Sequence, residues 1–404
     1  MGVRELGNPL GNPLGLARQA SQSSQSATGE VLISVEASPR GEWLALDGSA
    51  WDDRIFTRGK IVADISAPTK LANPSVLPTG NGSGSDMSSD GLYFAVAHTN
   101  SPFITIYKRE GDTFTKIANP SALPSSGGIS CAFSKDTEYL VVGELNSPFI
   151  NIYKRSGDTF TKLANPSQLP TGAANGCVFS SDGNYLAVAH SVSPFITIYK
   201  REGDTFTKLE NPDLLPAGIG RGCDFGFGDS YLSVSHDTSP FITIYKRSGD
   251  TFTKLANPSQ LPTGSGYDCS FNYDGSLLCV AHFTTPFITI YARSGDTFTK
   301  LTNPSQLPTD NCFACSFSSD GNYLSAAQSS TPFINIYQLI GEIFSKLPGP
   351  STGLPTGQGR GCNFTPGSAY LAVSHGTTPF ISIYKGKRQN IAVETQNKAR
   401  VKVG

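Results

Sequence analysis

The run Pro-Phe-Ile-x-Ile-Tyr occurs seven times, with its proline at Pro102, Pro148, Pro194, Pro240, Pro286, Pro332 and Pro379. Successive copies lie 46 residues apart, and the last gap is 47. The extra residue falls in KLPGPSTGLP, where other units read KLANPSQLP. A repeat of this length is one supersecondary unit that buries its apolar face only against its neighbours. The period is close to the roughly 40–45 residues of a four-stranded propeller blade.

One unit reads strand by strand from Gly176. GCVFSS (176–181) is short and apolar, and Asp182-Gly183-Asn184 is turn chemistry. YLAVAH (185–190) is a second strand, followed by the loop SVSP. FITIYKR (195–201) alternates β-branched and aromatic residues as a third strand. A second glycine turn leads to TFTKLENP (205–212), a fourth strand closed by proline. Seven such units predict an all-β, seven-bladed β-propeller of four antiparallel strands per blade. Long helices are not expected in a chain punctuated by 42 glycines and 27 prolines.

The repeat is out of phase with the blades. The first copy opens on a fourth-strand sequence, PTKLANPSVLP (68–78), and the last stops after its third strand, FISIYK (380–385). Ring closure follows: residues near 66–73 pair with the third strand of the last blade and cover its edge. The expected domains are an extended arm over 1–30, a small β module over 31–65, the propeller over 66–385 and a basic tail over 386–404. The arm, with GNPLGNPLG and SQSSQSATG, holds too little apolar surface for a core. The tail reads as an added strand, a docking segment or a solvated end.

Several function classes are excluded at this level. A net charge of −1 gives no basic excess for phosphate neutralisation, so no nucleic-acid partner is expected. Nothing approaches an apolar run of about 18 residues, so no membrane span is expected. The N-terminus lacks the charged start and apolar stretch of a secretory signal. There is no G-x-S-x-G, H-E-x-x-H, P-loop or Asp-rich calcium loop. An enzyme also needs a few residues that break the symmetry. The reading is therefore no enzyme and no cofactor.

All five histidines share the last position of the second strand: His98, His190, His236, His282 and His375, with Glu144 and Gln328 in the other two units. Second strands about 13 Å from the axis would set neighbours about 11 Å apart. Ligands of one zinc ion must lie within about 4 Å of each other. The ring is therefore expected to supply a repeated structural hydrogen bond, not a metal site. Six of the eight cysteines, Cys131, Cys177, Cys223, Cys269, Cys315 and Cys362, also share one position, with Met87 read as filling that slot in the first unit. This marks a small apolar slot between blades. Disulfides are not expected, and free thiols suit a reducing cytoplasm. Cys279 and Cys312 fall outside the pattern. Asp90, Asp182, Asp274 and Asp320 precede glycine, and Asp112, Asp158, Asp204, Asp250 and Asp296 follow it. Both sets read as local turn formers.

Variation among the repeats concentrates in two loops, one after LPTG and one before PFI, which a four-stranded blade places on the same face. Such a face is either a binding surface carried on a uniform scaffold or drift where packing imposes nothing. Its larger side chains, Arg221, Tyr267, Phe283, Phe313 and Arg360, are the candidate binding residues, since aromatic and arginine side chains are the commonest anchors.

The unit CxFSSDGNYLAVAH…PFITIYKR.GDTFTKLANPSQLPTG resembles WD-repeat-like propellers of bacteriophage and prophage tail or fibre proteins, over residues 66–385. It departs from true WD repeats: Ile-Tyr stands at the Trp-Asp ending and no Gly-His opens the unit. ISVEASPRGEWLALDGSAW (33–51) is similar to the opening of phage tail-collar modules, through Trp43, Leu44, Asp47, Gly48 and Ser49; it also reads as a hairpin capping the propeller. The resemblance implies a non-enzymatic virion structural protein of a tail, fibre or neck, assembled in the bacterial host cytoplasm. Its N-terminal segment, with Trp43, Asp47 and Trp51, would anchor it to other virion proteins. Its propeller would face a host-surface glycan or protein, within a homo-oligomer or larger assembly. The rivals are an intracellular protein-interaction propeller and a hydrolase or lactonase with a metal in the central channel. Carboxylates converging at the inner-strand mouths would favour the enzyme.

Overall fold

The computed structural model describes residues 31–34, 43–46, 56–59, 61–340, 343–350 and 353–390. Near the N-terminus, Val31–Ser34, Trp43–Leu46 and Phe56–Gly59 form a three-stranded antiparallel sheet. Trp43 sits in its central strand, paired with Ser34 on one side and Gly59 on the other. Asp47, Trp51 and residues 1–30 and 391–404 lie outside the described residues.

Asp64–Lys387 is a separate compact unit. It holds seven four-stranded antiparallel sheets arranged as a ring, a seven-bladed β-propeller. The innermost strands of blades 1 to 7 are Gly82–Met87, Gly128–Phe133, Ala174–Phe179, Gly220–Gly226, Gly266–Phe271, Cys312–Phe317 and Gly359–Phe364. Blade 3 continues through Tyr185–His190, Ile196–Glu202 and Thr205–Lys208, following the sequence reading except that the third strand starts one residue later and the fourth ends at Lys208, before Leu209-Glu210-Asn211-Pro212 is reached. The second strand of every blade is buried at all six positions, because neighbouring blades cover both of its faces. The hydrophobic core is accordingly divided into seven clusters, one at each junction between blades.

The ring closes through the N-terminal strand. Ile61–Lys70 is the outermost strand of blade 7, beside Ile381–Asn390. The ladder carries on at Leu71, whose N–H donates to the Ile383 carbonyl at 2.8 Å. Both strands outrun the sequence reading, the first beginning at Ile61 and the last running to Asn390.

Two sequence readings need correction. The register places Ser85, not Met87, opposite Val96, where Cys131 stands opposite Val142 in blade 2. Met87 instead fills the phenylalanine position of the inner strand. The cysteine slot does lie between blades: Cys131 and Cys223 direct their thiols at the carbonyls of Ala95 and Ala187 in the preceding blade, at 3.7 Å. Burial pushes the Cys362 thiol up to about 12, so this sulfur is a neutral packing group, whereas Cys177 is only partly buried and its sulfur accepts from the Ser130 hydroxyl at 3.4 Å. Cys279 and Cys312 are fully buried in the cluster between blades 5 and 6.

The second correction concerns the aspartates that follow glycine. Their carboxylates reach out of the turn to the adjacent blade. The hydroxyl of Tyr139 in blade 2 donates to Asp204 Oδ1 in blade 3 at 2.5 Å, and Lys154 Nζ to the same carboxylate at 2.7 Å. Arg201 lies over the Tyr139 ring, 4.6 Å from its centroid, and Phe206 packs edge-on to it at 5.8 Å. The Lys154 bond is the main cause holding the Asp204 carboxyl below its ordinary range. The tyrosine–aspartate bond recurs as Tyr93–Asp158, Tyr185–Asp250 and Tyr231–Asp296, and Tyr370–Asp112 spans the closed ring from blade 7 to blade 1. Blade 5 carries Leu277 in the tyrosine position, and the sequence has Glu342 where the other units have this aspartate. By contrast, Asp90, Asp182, Asp274 and Asp320 do cap their own hairpins, as when Asp182 Oδ1 accepts from the Asn184 N–H at 2.9 Å. Tyr139→Phe is expected to cost about 1 kcal/mol, one charge-assisted bond partly open to water. In a thermal-melting cycle with Asp204→Asn the two losses should not add, and full additivity would contradict the clamp.

Candidate functional site: an aromatic and arginine cluster on the loop face

The site begins with a backbone irregularity repeated in every blade. Near the start of the inner strand the pairing skips one residue: between Gly220 and Gly222, Gly266 and Asp268, Cys312 and Ala314, and Gly359 and Gly361. The skipped residue is left out of the ladder, and such a bulge re-aims its side chain. In blades 4 to 7 it is Arg221, Tyr267, Phe313 and Arg360; in blades 1 to 3 it is Ser83, Ile129 and Asn175. The flanking residue is glycine in five blades, and Ala174 and Cys312 in blades 3 and 6. A Cβ on Gly266 would lie 2.3 Å from the Phe241 carbonyl of the preceding blade.

The second contribution comes from the residue after the histidine position. Here blade 4 has Asp237 and blade 5 has Phe283. The tight turn that follows contains a cis proline in every blade, then a phenylalanine at φ of 65–68° whose carbonyl accepts the N–H of the histidine-position residue.

Four of the five candidate residues meet. Tyr267 and Phe283 stack with centroids 4.1 Å apart and planes at 17°. Phe313 from blade 6 stands edge-on to both, at 5.1 and 4.8 Å. The Arg221 guanidinium from blade 4 lies over the Tyr267 ring at 4.9 Å. All four are partly exposed. Arg360 does not join them; it is exposed and donates to its own strand's neighbour, Gln358 Oε1, at 3.2 Å. Asp237, which the sequence reading missed, completes the group. Its Oδ2 is 3.6 Å from Arg221 Nη2, and its Oδ1 accepts the Ile219 N–H at 3.0 Å. The available signal was its offset of 46 residues from Phe283, which assigns both to one ring position.

The histidine ring lies beneath this face. Each histidine Nε2 is 2.9–3.1 Å from a hydroxyl on the third strand: Thr105, Thr197, Thr243, Thr289 or Ser382. In the two units without histidine the partner changes as well. Asn151 donates to Glu144 at 2.6 Å and Asn335 to Gln328 at 2.7 Å. Ring and partner thus vary together, as a hydrogen-bonded pair requires. All five histidines are fully buried, and burial lowers each to about 4. They are neutral at pH 7.

Three inner-strand carboxyls were also missed. Asp86, Asp224 and Asp268 each accept a backbone N–H from the next blade: Phe133 at 2.7 Å, Phe271 at 2.7 Å and Cys315 at 3.0 Å. The inner edge of each blade has no further strand to satisfy such donors, so these side chains do so. Burial raises them to about 6, 7 and 7 respectively, against the lowering effect of those backbone bonds. Among the described residues, no group of three or more His, Cys, Asp or Glu is arranged to hold a metal ion.

No family model matches the sequence, and comparison with curated proteins gives no match. Among solved structures, hydrazine synthase of Kuenenia stuttgartiensis is similar, with a TM-score of 0.62 and 13% identity over 78% of this chain and 98% of that one. At that identity the likeness is one of fold, the seven-bladed propeller.

Proposed function

We propose that this protein is a non-enzymatic virion component of a phage tail, fibre or neck, whose N-terminal segment anchors it and whose propeller binds through the loop face. The observation that carries the binding role is the cluster of Arg221, Asp237, Tyr267, Phe283 and Phe313. A nearly uniform ring is interrupted in one sector by the side-chain types that anchor interfaces. The placement in a virion rests on the collar-like segment around Trp43 and on the resemblance of the repeats to phage propellers. Pre-organisation on a rigid ring would limit the entropy lost on association.

Two variants separate the roles. Removal of residues 1–30 is expected to leave a folded propeller that no longer enters particles. Alanine at Arg221, Tyr267, Phe283, Phe313 and Arg360 together is expected to permit incorporation and weaken attachment to the host or partner by about tenfold or more. Incorporation is read by immunoblotting purified particles and attachment by adsorption rate. Normal assembly without the arm, or normal attachment of the loop variant, would contradict the corresponding half.

A further inference from the structure

We infer that the cluster spanning blades 4 to 6 is a binding site for a neutral carbohydrate. This rests on the reading of the loop face as a binding surface and names the ligand class it takes.

Size is the first argument. The three ring centroids lie within 5.1 Å of each other. Such a platform is about as wide as one or two pyranose rings, whereas a stable protein interface covers about 800 Å² on each partner. At the same two ring positions the other blades carry Ser83, Asn175, Thr99, Ser191, Ser329 and Gly376, with larger side chains at Ile129 and Leu145 in blade 2 and Arg360 in blade 7. A protein partner would find few further anchors of this kind there.

Charge is the second. Arg221 and Asp237 face each other at 3.6 Å, so the site presents both signs and no net charge. An anionic ligand would meet the Asp237 carboxylate, and a cationic one would meet Arg221. A neutral ligand incurs neither penalty.

Hydrogen-bonding capacity is the third. The 3.6 Å separation is longer than a hydrogen bond, which leaves Asp237 Oδ2 and guanidinium N–H groups with capacity for a ligand. A donor fork beside an acceptor matches adjacent hydroxyls, each of which both donates and accepts. The partly exposed rings supply the apolar complement, covering the C–H faces of a sugar ring. Phe283 has one face on Tyr267, and no other described aromatic ring stacks on its second face.

The test uses the full chain on a printed panel of neutral and acidic oligosaccharides, with hits titrated by calorimetry. Binding is expected to neutral glycans, with little dependence on salt. Tyr267→Ala and Phe283→Ala should each weaken it about tenfold or more, and Asp237→Asn should weaken it with an unchanged melting temperature. Binding confined to acidic glycans, with strong salt dependence, would overturn the inference, as would binding unaffected by these substitutions. If no glycan binds but the five-residue loop variant still loses attachment, the carbohydrate assignment fails and the loop-face reading stands. If the loop variant attaches normally, the loop-face reading fails as well.

Discussion

Deletion of residues 61–73 is expected to abolish cooperative folding of the propeller and to cause association through strand edges. Without Ile61–Lys70, the outer side of Ile381–Asn390 has no partner, and a strand of that length is a template for pairing with another chain. The loss also opens the core. Ile65 is fully buried among Ala327, Ile334, Val373 and Tyr384, in the cluster between blades 6 and 7. Leu71 packs into the next cluster, between blades 7 and 1. Ile65→Ala, which keeps the strand and removes only that contact, should cost about 2–5 kcal/mol. Light scattering and thermal melting distinguish the outcomes. A deleted chain that stays monomeric with an unchanged transition would contradict closure by this strand.

Acidification from about pH 6.5 to about pH 4 is expected to destabilise the ring through its buried histidines. Each titrates near 6.5 in the unfolded chain and near 4 in the fold, because burial disfavours the charged imidazole. In that window the unfolded state binds more protons. Stability is therefore complete above about 6.5, falls with pH, and levels off below about 4. At full development the effect is about 3 kcal/mol per histidine. The buried carboxyls act in the opposite direction. Asp86, Asp224 and Asp268 are raised from 3.8 to about 6, 7 and 7, so the folded state gains protons first and is favoured as the pH falls. Five histidines outnumber three carboxyls, so the balance is a net loss of stability on acidification.

The internal variation of the ring supplies the test. His190→Gln with Thr197→Asn copies the Gln328–Asn335 pair of blade 6 into blade 3. The double variant should match the parent at pH 8 within about 1 kcal/mol, one hydrogen-bonded pair replacing another. At pH 4.5 it should be more stable than the parent by about 2 kcal/mol, since one titrating site is gone. Chemical denaturation at both values measures this. An identical decline of parent and variant would remove the histidines as the cause.

The sequence by itself determined the architecture. Strand, turn and period are local properties written seven times over: alternation in FITIYKR, the glycine turns, and the spacing of PFIxIY. Closure was equally readable, because an unmatched fourth strand at one end and a missing one at the other have a single mutual solution. What reaches across blades was not readable. Asp204 looks like a turn residue within its own unit; only the stacking of blade 3 on blade 2 brings it to Tyr139. Asp86, Asp224 and Asp268 follow no repeat position consistently, and their role depends on a backbone donor of the adjacent blade. The candidate site shows the same division. Variable loops pointed to Arg221, Tyr267, Phe283, Phe313 and Arg360 as large side chains on one face, but tertiary structure decided that four of them meet and Arg360 does not. The physical reason is that residues 46 apart become neighbours only when a ring of packed blades sets them side by side. Sequence periodicity names their equivalent positions, while packing between blades decides which side chains touch.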